Sequence, residues 1–129
     1  MKPHKTILVV DDEEGLRRMF TFLLEPLGLE VESAENGLEA VRKIEKNEYD
    51  VVLMDTHMPV MSGLEALKRI KQIRPSQKVI MFSSAPDPEN FFESRAVKEG
   101  ALFCLYKPVD LTDLQRALEK ALGSLPKSL

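Results

Sequence analysis

The chain has 129 residues, of which 43% are hydrophobic and 30% charged, and its formal net charge is −3. These values fit one globular domain with a hydrophobic core and give no sign of a basic, nucleic-acid-binding surface. The single cysteine, Cys104, excludes an internal disulfide, and no apolar run reaches the length of a membrane span or a signal-peptide core. We therefore expect a single cytoplasmic domain over residues 1–129, with its core at about 5–122, a tail at 123–129, and no binding to membranes or nucleic acid.

Short apolar runs recur along the chain and predict five β-strands. The first, third and fourth runs are continuously apolar, which is typical of strands covered on both faces of a sheet. The second run alternates between apolar and polar residues, as an edge strand does. The five runs are residues 7–10, 29–32, 51–54, 79–82 and 102–105.

Helical patterns follow the strands. Apolar side chains recur at helical spacing and form one stripe on each helix, which predicts that the stripes pack against the sheet. The clearest stripes are Leu16, Met19, Phe20, Leu23 and Leu24; Leu38, Val41 and Ile44; Leu64, Leu67 and Ile70; and Leu111, Leu114, Leu118 and Ala121.

Boundary residues support this division of the chain. Ser62 with Glu65 predicts a capping box for the third helix, and Asp110 predicts a cap for the fifth. Asn90 predicts the start of the fourth helix and Gly100 its end. Five strands alternating with five helices predict an α/β fold, (βα)5, in which a doubly wound parallel sheet has helices on both faces.

Polar side chains collect at the predicted carboxyl ends of the strands, where ligands bind in such sheets. Asp11 and Asp12 follow strand one, Asp55 follows strand three, Ser83 follows strand four, and Lys107 follows strand five. Each residue alone has an ordinary structural explanation as a turn former, a helix cap or a solvated charge. Together, carboxylates at one edge repel one another unless a cation lies among them, and hard oxygen ligands suit Mg²⁺. With a hydroxyl and an ammonium nearby, the set predicts phosphoryl transfer to a carboxylate.

Several segments together resemble the signature of response regulator receiver domains of two-component signal transduction, the chemotaxis regulator included. They are residues 7–13, residues 54–63, Gly100-Ala101 and Lys107-Pro108. They follow the family's order and spacing from about residue 5 to 122. The resemblance implies the sheet order 2-1-3-4-5. It also implies a signalling domain rather than an enzyme, although one that assists its own phosphorylation and dephosphorylation.

The resemblance assigns the phosphoryl chemistry to three side chains. It implies that Asp55 is the phosphoacceptor, that Lys107 pairs with the phosphoryl group, and that the Ser83 hydroxyl follows a phosphoryl oxygen. Pro59 and Gly63 would shape the loop after the acceptor. The implied donor is a phosphohistidine on a sensor histidine kinase or a histidine phosphotransfer protein.

The same resemblance implies a Mg²⁺ cofactor. Asp12, Asp55 and the backbone carbonyl of His57 would bind the ion, and Asp11 would assist directly or through a water. The signal would pass to a downstream protein target or output domain. We expect a stand-alone regulator, because only a short tail follows the fifth helix.

Departures from the family's pattern concern signalling. Cys104 stands where the family usually has Tyr or Phe, the aromatic that rotates when the hydroxyl moves, and Tyr106 lies two residues later on the same face. The His57 position influences dephosphorylation in the family. We expect Ser83 to move toward the phosphoryl oxygen, and the response to travel through the proline-rich residues 84–90 and helix four. The expected output surface includes Phe91, Phe92, Arg95, Cys104, Tyr106, Leu111 and Asp113.

Other classes fit the sequence less well. An aspartate-nucleophile phosphatase needs Asp-x-Asp after strand one, which Asp11-Asp12-Glu13-Glu14 does not supply. A cobalamin site would use Asp55-Thr56-His57, but Val60 stands where its glycine is needed. A flavodoxin-like electron carrier would need a phosphate-binding loop and aromatic flavin brackets. Two alternatives remain open: a pseudo-receiver that only binds partners, and a phosphorelay carrier without a conformational switch.

Overall fold

The structure, a computed structural model, describes residues 4–84 and 91–126. Five strands form one parallel sheet in the order 2-1-3-4-5, as the sequence and its family resemblance predict. The strands are β1 (Lys5–Val10), β2 (Leu29–Ala34), β3 (Val51–Asp55), β4 (Val79–Ser84) and β5 (Phe103–Lys107). The helices are α1 (Glu14–Leu24), α2 (Gly37–Lys46), α3 (Gly63–Ile73), α4 (Phe91–Lys98) and α5 (Leu111–Leu122).

The hydrophobic core has two halves, one on each face of the sheet. Leu8 and Val10 point to the half beneath α2 and α3, whereas Ile7 and Val9 point to the half beneath α1 and α5. Alternate residues of a strand point to opposite faces, so the continuously apolar strands supply both halves at once. None of the helices in residues 4–84 and 91–126 is long and apolar enough to cross a lipid bilayer.

Side chains at the helix starts match most of the predicted caps. Asp110 accepts a hydrogen bond from the Thr112 N–H at 2.7 Å, and Ser62 accepts one from the Glu65 N–H at 3.2 Å. The Glu65 carboxylate returns no hydrogen bond to the described residues, so only half of the predicted capping box forms. The predicted cap Asn90 lies outside the described residues.

Several strand ends and one helix residue differ from the sequence prediction. Strands two and four were predicted at residues 29–32 and 79–82, but β2 continues to Ala34 and β4 to Ser84. Strand five was predicted at residues 102–105, but β5 continues to Lys107, because Tyr106 and Lys107 pair with Ser83 and Ser84 of β4. Backbone pairing, which is independent of side-chain polarity, extends the strand beyond its apolar part. Met19 was predicted in the buried stripe of α1, but it is 39% exposed at the edge of that stripe.

The start of the predicted tail is in contact with the domain. Gly123 ends α5 with φ 84°, a left-handed conformation that favours glycine, and Leu125 packs against the core half beneath α1 and α5. Residues 127–129 lie outside the described residues.

Candidate functional site

Three carboxylates meet at the carboxyl edge of the sheet. Asp11 and Asp12 follow β1, and Asp55 is the last residue of the neighbouring strand β3. One oxygen from each of the three lies within 4.8 Å of the others. Asp11 and Asp55 are buried, whereas Asp12 is exposed, so the cluster opens to solvent on one side.

Lys107 bridges two of these carboxylates. Its Nζ lies 3.0 Å from Asp55 Oδ1 and 3.3 Å from Asp11 Oδ2. The lysine reaches them because β5 ends at the same edge of the sheet. Its peptide bond to Pro108 is cis. One ammonium among three carboxylates leaves a surplus of negative charge, so the hard oxygen ligands present fit a divalent cation such as Mg²⁺.

Burial governs the electrostatics of the site. Removal from water raises the pKa of Asp55, and the nearby Asp11 charge raises it further. Lys107 and the Thr56 N–H oppose this shift without cancelling it. Burial lowers the pKa of Lys107, but the two carboxylates outweigh that effect and raise the pKa overall. The ammonium is therefore kept charged, while the charge on Asp55 is held at a cost in free energy.

The backbone around Asp55 is tightly packed. The Thr56 N–H donates to Asp55 Oδ1 at 2.9 Å, and the buried Thr56 hydroxyl donates to the Phe82 carbonyl of β4. The Gly63 N–H donates to the Thr56 carbonyl at 2.8 Å, and a Cβ at Gly63 would overlap the Asp55 carbonyl oxygen. Only glycine therefore lets the start of α3 approach the end of β3 this closely.

A strained turn closes the loop between β3 and α3. Val60 has φ 71°, which is unusual for a β-branched residue, and the Met61 N–H donates to the Pro59 carbonyl at 2.8 Å around it. Val60 itself is exposed. The turn directs Met61 back into the core half beneath α2 and α3.

Two other predicted site residues lie near the cluster without joining its contacts. Ser83 is buried at the end of β4, and its hydroxyl donates weakly to the Ser84 carbonyl at 3.4 Å. His57 is exposed in the loop after β3. Its side chain forms no hydrogen bond or ion pair with the described residues.

Comparison with known proteins decides the family. The sequence profile of the response regulator receiver domain matches residues 7–119. The chain belongs to the response regulator receiver domain family. It is 40% identical to the chemotaxis protein CheY of Listeria monocytogenes, with 89% of this chain and 96% of that one aligned.

Other relatives are longer proteins or solved structures. The chain is 40% identical to the transcriptional regulatory protein ZraR of Klebsiella oxytoca over 91% of its own length, but it spans only 26% of ZraR. A receiver domain from Clostridium thermocellum superposes with a TM-score of 0.83 at 40% identity, covering 92% of this chain and 94% of that one. TrrA from Thermotoga maritima, solved in complex with Mg²⁺ and BeF, gives 0.81 at 33% identity, covering 92% of this chain and 99% of that one.

Of the predicted switch residues of this receiver domain, Ser83 lies on β4, and Cys104 and Tyr106 lie on β5. Tyr106 pairs with Ser83 across the sheet, and its hydroxyl donates to Glu93 of α4 at 3.0 Å. Cys104 pairs with Met81 and packs, half-buried, against the core beneath α2 and α3. The predicted route through residues 84–90 falls mostly outside the described residues, since only Ser84 of that segment is described.

The contacts of two residues beside the site, Thr56 and Arg17, were not predicted from the sequence. Thr56 was considered only as part of a motif, and its buried hydroxyl was not predicted. Arg17 of α1 donates from Nη1 to the Asp11 carbonyl at 2.7 Å. The sequence signal for Arg17 was its place in the first turns of a helix that follows an acidic loop. That pattern is equally typical of an arginine exposed to solvent.

Proposed function

We propose that this receiver domain accepts a phosphoryl group on Asp55 in a Mg²⁺-dependent reaction. The observation that carries the proposal is the contact of Lys107 Nζ with both Asp55 and Asp11, inside a cluster of three carboxylates. That arrangement supplies an acceptor, a fixed cation for phosphoryl oxygens and ligands for a divalent metal. The Mg²⁺–BeF complex of the related TrrA supports the same chemistry here.

The two carboxylate oxygens of Asp55 differ in their contacts. Oδ1 accepts the Thr56 N–H and faces Lys107, whereas Oδ2 accepts no hydrogen bond from the described residues. We expect Oδ2 to form the bond to phosphorus. The P–N bond of the donor's phosphohistidine breaks at the same time, and the imidazole nitrogen takes up a proton. Lys107 then balances charge on the transferred group.

The metal would be held by the acidic cluster. Asp12, Asp55 and the His57 backbone carbonyl would be direct ligands, and Asp11 would assist directly or through a water. Bound there, Mg²⁺ would neutralise phosphoryl oxygens during transfer. Because Mg²⁺ keeps several of its waters, binding without a phosphoryl group should be weak.

The donor is proposed to be a sensor histidine kinase or a histidine phosphotransfer protein. An apolar cleft of about 450 Å³ opens beside Lys107 and Ser84, between α1 and the chain after β5. Its apolar lining would let a partner protein cover the acceptor and exclude water during transfer. The lining side chains are Leu16, Met19, Phe20, Pro108 and Val109.

The signal is proposed to leave through α4 and β5 to a protein target or output domain. Ser83 would move toward the phosphoryl group, and the neighbouring Tyr106–Glu93 hydrogen bond gives that movement a connection to α4. Cys104 is too small to perform the aromatic rotation of the usual switch. Beryllofluoride should change amide hydrogen exchange in residues 91–95, and Ser83→Ala should remove that change. No change in α4 would instead indicate a phosphoryl carrier.

Phosphorylation can be tested directly with acetyl phosphate and intact-protein mass spectrometry. Wild-type protein should gain one phosphoryl group with Mg²⁺ and none with a chelator. Asp55→Asn should abolish labelling, because an amide oxygen is a far poorer nucleophile than a carboxylate. Asp113→Asn, an exposed change on α5, is the matched control and should label normally. Labelling of Asp55→Asn on another residue, or metal-independent labelling, would contradict the proposal.

A further inference from the structure

Arg17 is a basic side chain beside the site that the proposed chemistry does not use. Its Nη1 donates to the Asp11 carbonyl at 2.7 Å, and the residue is half-buried. It forms no ion pair with any carboxylate in residues 4–84 and 91–126. The neighbouring Arg18 differs in every respect, since its side chain is 80% exposed and pairs with Glu14 at 2.8 Å.

The carbonyl that Arg17 holds belongs to the segment carrying two of the three carboxylates. The Asp11 N–H donates to the Ala34 carbonyl at 3.2 Å, and the Glu13 N–H donates to Asp11 Oδ1 at 2.9 Å. The Arg17 side chain supplies a third restraint. It ties Asp11 to α1, in addition to the backbone bond from the Arg17 N–H to the Glu13 carbonyl at 3.1 Å. Glu13 caps α1 without a side-chain hydrogen bond, so no capping side chain fixes the turn from β1 into α1.

Asp12 depends on this backbone for its direction. Its carboxylate is exposed and accepts no hydrogen bond within the described part of the chain. The orientation of residues 11–13 therefore decides where Asp12 points relative to Asp55. Removing a group that orients metal ligands typically weakens metal binding by roughly ten- to a hundredfold.

We propose that Arg17 is a positioning residue that fixes the Asp11 carbonyl and thereby orients Asp11 and Asp12 for a divalent cation. The inference rests on the proposed function, because it concerns the same metal site. The proposal predicts the direction in which Mg²⁺ affinity changes when Arg17 is replaced. The positive charge of Arg17 repels a bound cation, so an effect of charge alone would make Mg²⁺ bind more tightly once the charge is removed. Loss of positioning makes Mg²⁺ bind more weakly.

Matched variants separate these two effects. Arg17→Met keeps much of the aliphatic stem but removes both charge and donors, and Arg18→Met removes the same charge one residue away. Mg²⁺ titration is followed by the amide resonances of Asp12, Asp55 and His57. We expect the dissociation constant to rise roughly tenfold in Arg17→Met and to stay within about twofold of wild type in Arg18→Met. Arg17→Lys, which retains a charged donor, should recover most of the affinity.

A second readout needs no metal. In metal-free protein, the Glu13 amide should exchange faster in Arg17→Met than in wild type or Arg18→Met, because the turn loses its side-chain tie to α1. If circular dichroism shows that Arg17→Met is unfolded, Arg17→Gln takes its place in both measurements. Gln retains an amide donor without the charge, so its affinity should lie between those of wild type and a variant without any donor.

The outcomes distinguish the two proposals. Unchanged or tighter Mg²⁺ binding by folded Arg17→Met, with wild type binding normally, would overturn the role of Arg17 and leave the metal site intact. Equal weakening in Arg17→Met and Arg18→Met would also overturn it. Wild-type protein whose resonances do not respond to Mg²⁺ would overturn the proposed function, and the Arg17 proposal with it.

Discussion

The two ends of the sheet carry similar polar side chains but pair them differently. In the loops that lead into β3 and β4, the side chains of Arg74 and Gln77 donate to backbone carbonyls. Arg74 donates to Ile44 and Asn47 at 3.0 and 3.1 Å. Gln77 donates to the Tyr49 and Lys78 carbonyls, both at 3.1 Å. This amino-terminal network holds together the segments that enter the sheet.

At the carboxyl edge, like charges are gathered instead of paired. Asp11, Asp12 and Asp55 share one ammonium, and burial raises the pKa of Asp55. A protein selected only for stability would not retain such a cluster, since buried charges without full pairing cost free energy. The amino-terminal network therefore stabilises the fold, whereas the carboxyl edge holds its charges at a cost in stability, which is consistent with the proposed binding of a cation.

Removing Gln77 from the amino-terminal network should cause the largest loss of stability. The side chain is buried, and Gln77→Ala would remove the donor to the Tyr49 carbonyl, whereas the Lys78 carbonyl would keep its bond from the Val52 N–H. The free energy of unfolding should therefore fall by about 2 kcal/mol. Urea denaturation measures the change. The control is Gln72→Ala on the exposed surface of α3, which should alter stability by less than about 0.5 kcal/mol. Equal effects of the two variants would show that the amino-terminal network does not stabilise the fold.

Tyr49 should give a smaller loss with its own pH dependence. Its hydroxyl donates to Glu32 at 2.8 Å, so Tyr49→Phe should cost about 1.5 kcal/mol at neutral pH. Burial, followed by the Glu32 carboxylate, raises the pKa of Tyr49. Above pH of about 10, an unfolded tyrosine loses its proton while folded Tyr49 keeps it. Wild-type stability should therefore fall with rising alkaline pH more steeply than that of Tyr49→Phe, and parallel curves would contradict this.

Asp55→Asn should give the smallest change, with the opposite sign. The raised pKa means that the folded state favours the protonated carboxyl, so stability is lost as pH rises above about 4, the usual range for Asp. Asn removes the buried charge, and Lys107 keeps its contact with Asp11. Stability at neutral pH should rise by about 1 kcal/mol, with little gain near pH 3. Asp113→Asn should show neither effect. A destabilised Asp55→Asn would contradict the conclusion that the buried charge of Asp55 costs stability.

The architecture could be predicted because it depends on patterns that the sequence displays. Continuous apolar strands and helical stripes gave the (βα)5 alternation, and residues at strand ends such as Asp55 and Lys107 were expected at one edge. The order of the strands came from the family resemblance. The predicted ends of β2, β4 and β5 were each wrong by two residues, because backbone pairing continues beneath polar side chains, as between Ser84 and Lys107.

The remaining details depend on the path of loops, which periodicity does not reveal. Whether Arg17 reaches a carbonyl or water is decided by the conformation of residues 11–13, and its sequence neighbour Arg18 faces solvent. The hydroxyl of Thr56 is similar, because its acceptor lies 26 residues later on β4. Side-chain hydrogen bonds to distant backbone groups have no sequence pattern, although they set the geometry of the site.

The contact between Gly63 and the end of β3 limits insertions and deletions in the loop that joins β3 to α3. The Gly63 N–H is bonded to Thr56, and there is no room for a side chain beside the Asp55 carbonyl, so the segment between them forms a closed loop. An inserted or deleted residue within it would displace the backbone of Asp55 itself. Most surface loops absorb such changes at small cost. We therefore expect natural and engineered variants to keep the spacing of eight residues from Asp55 to Gly63, and to accept insertions elsewhere.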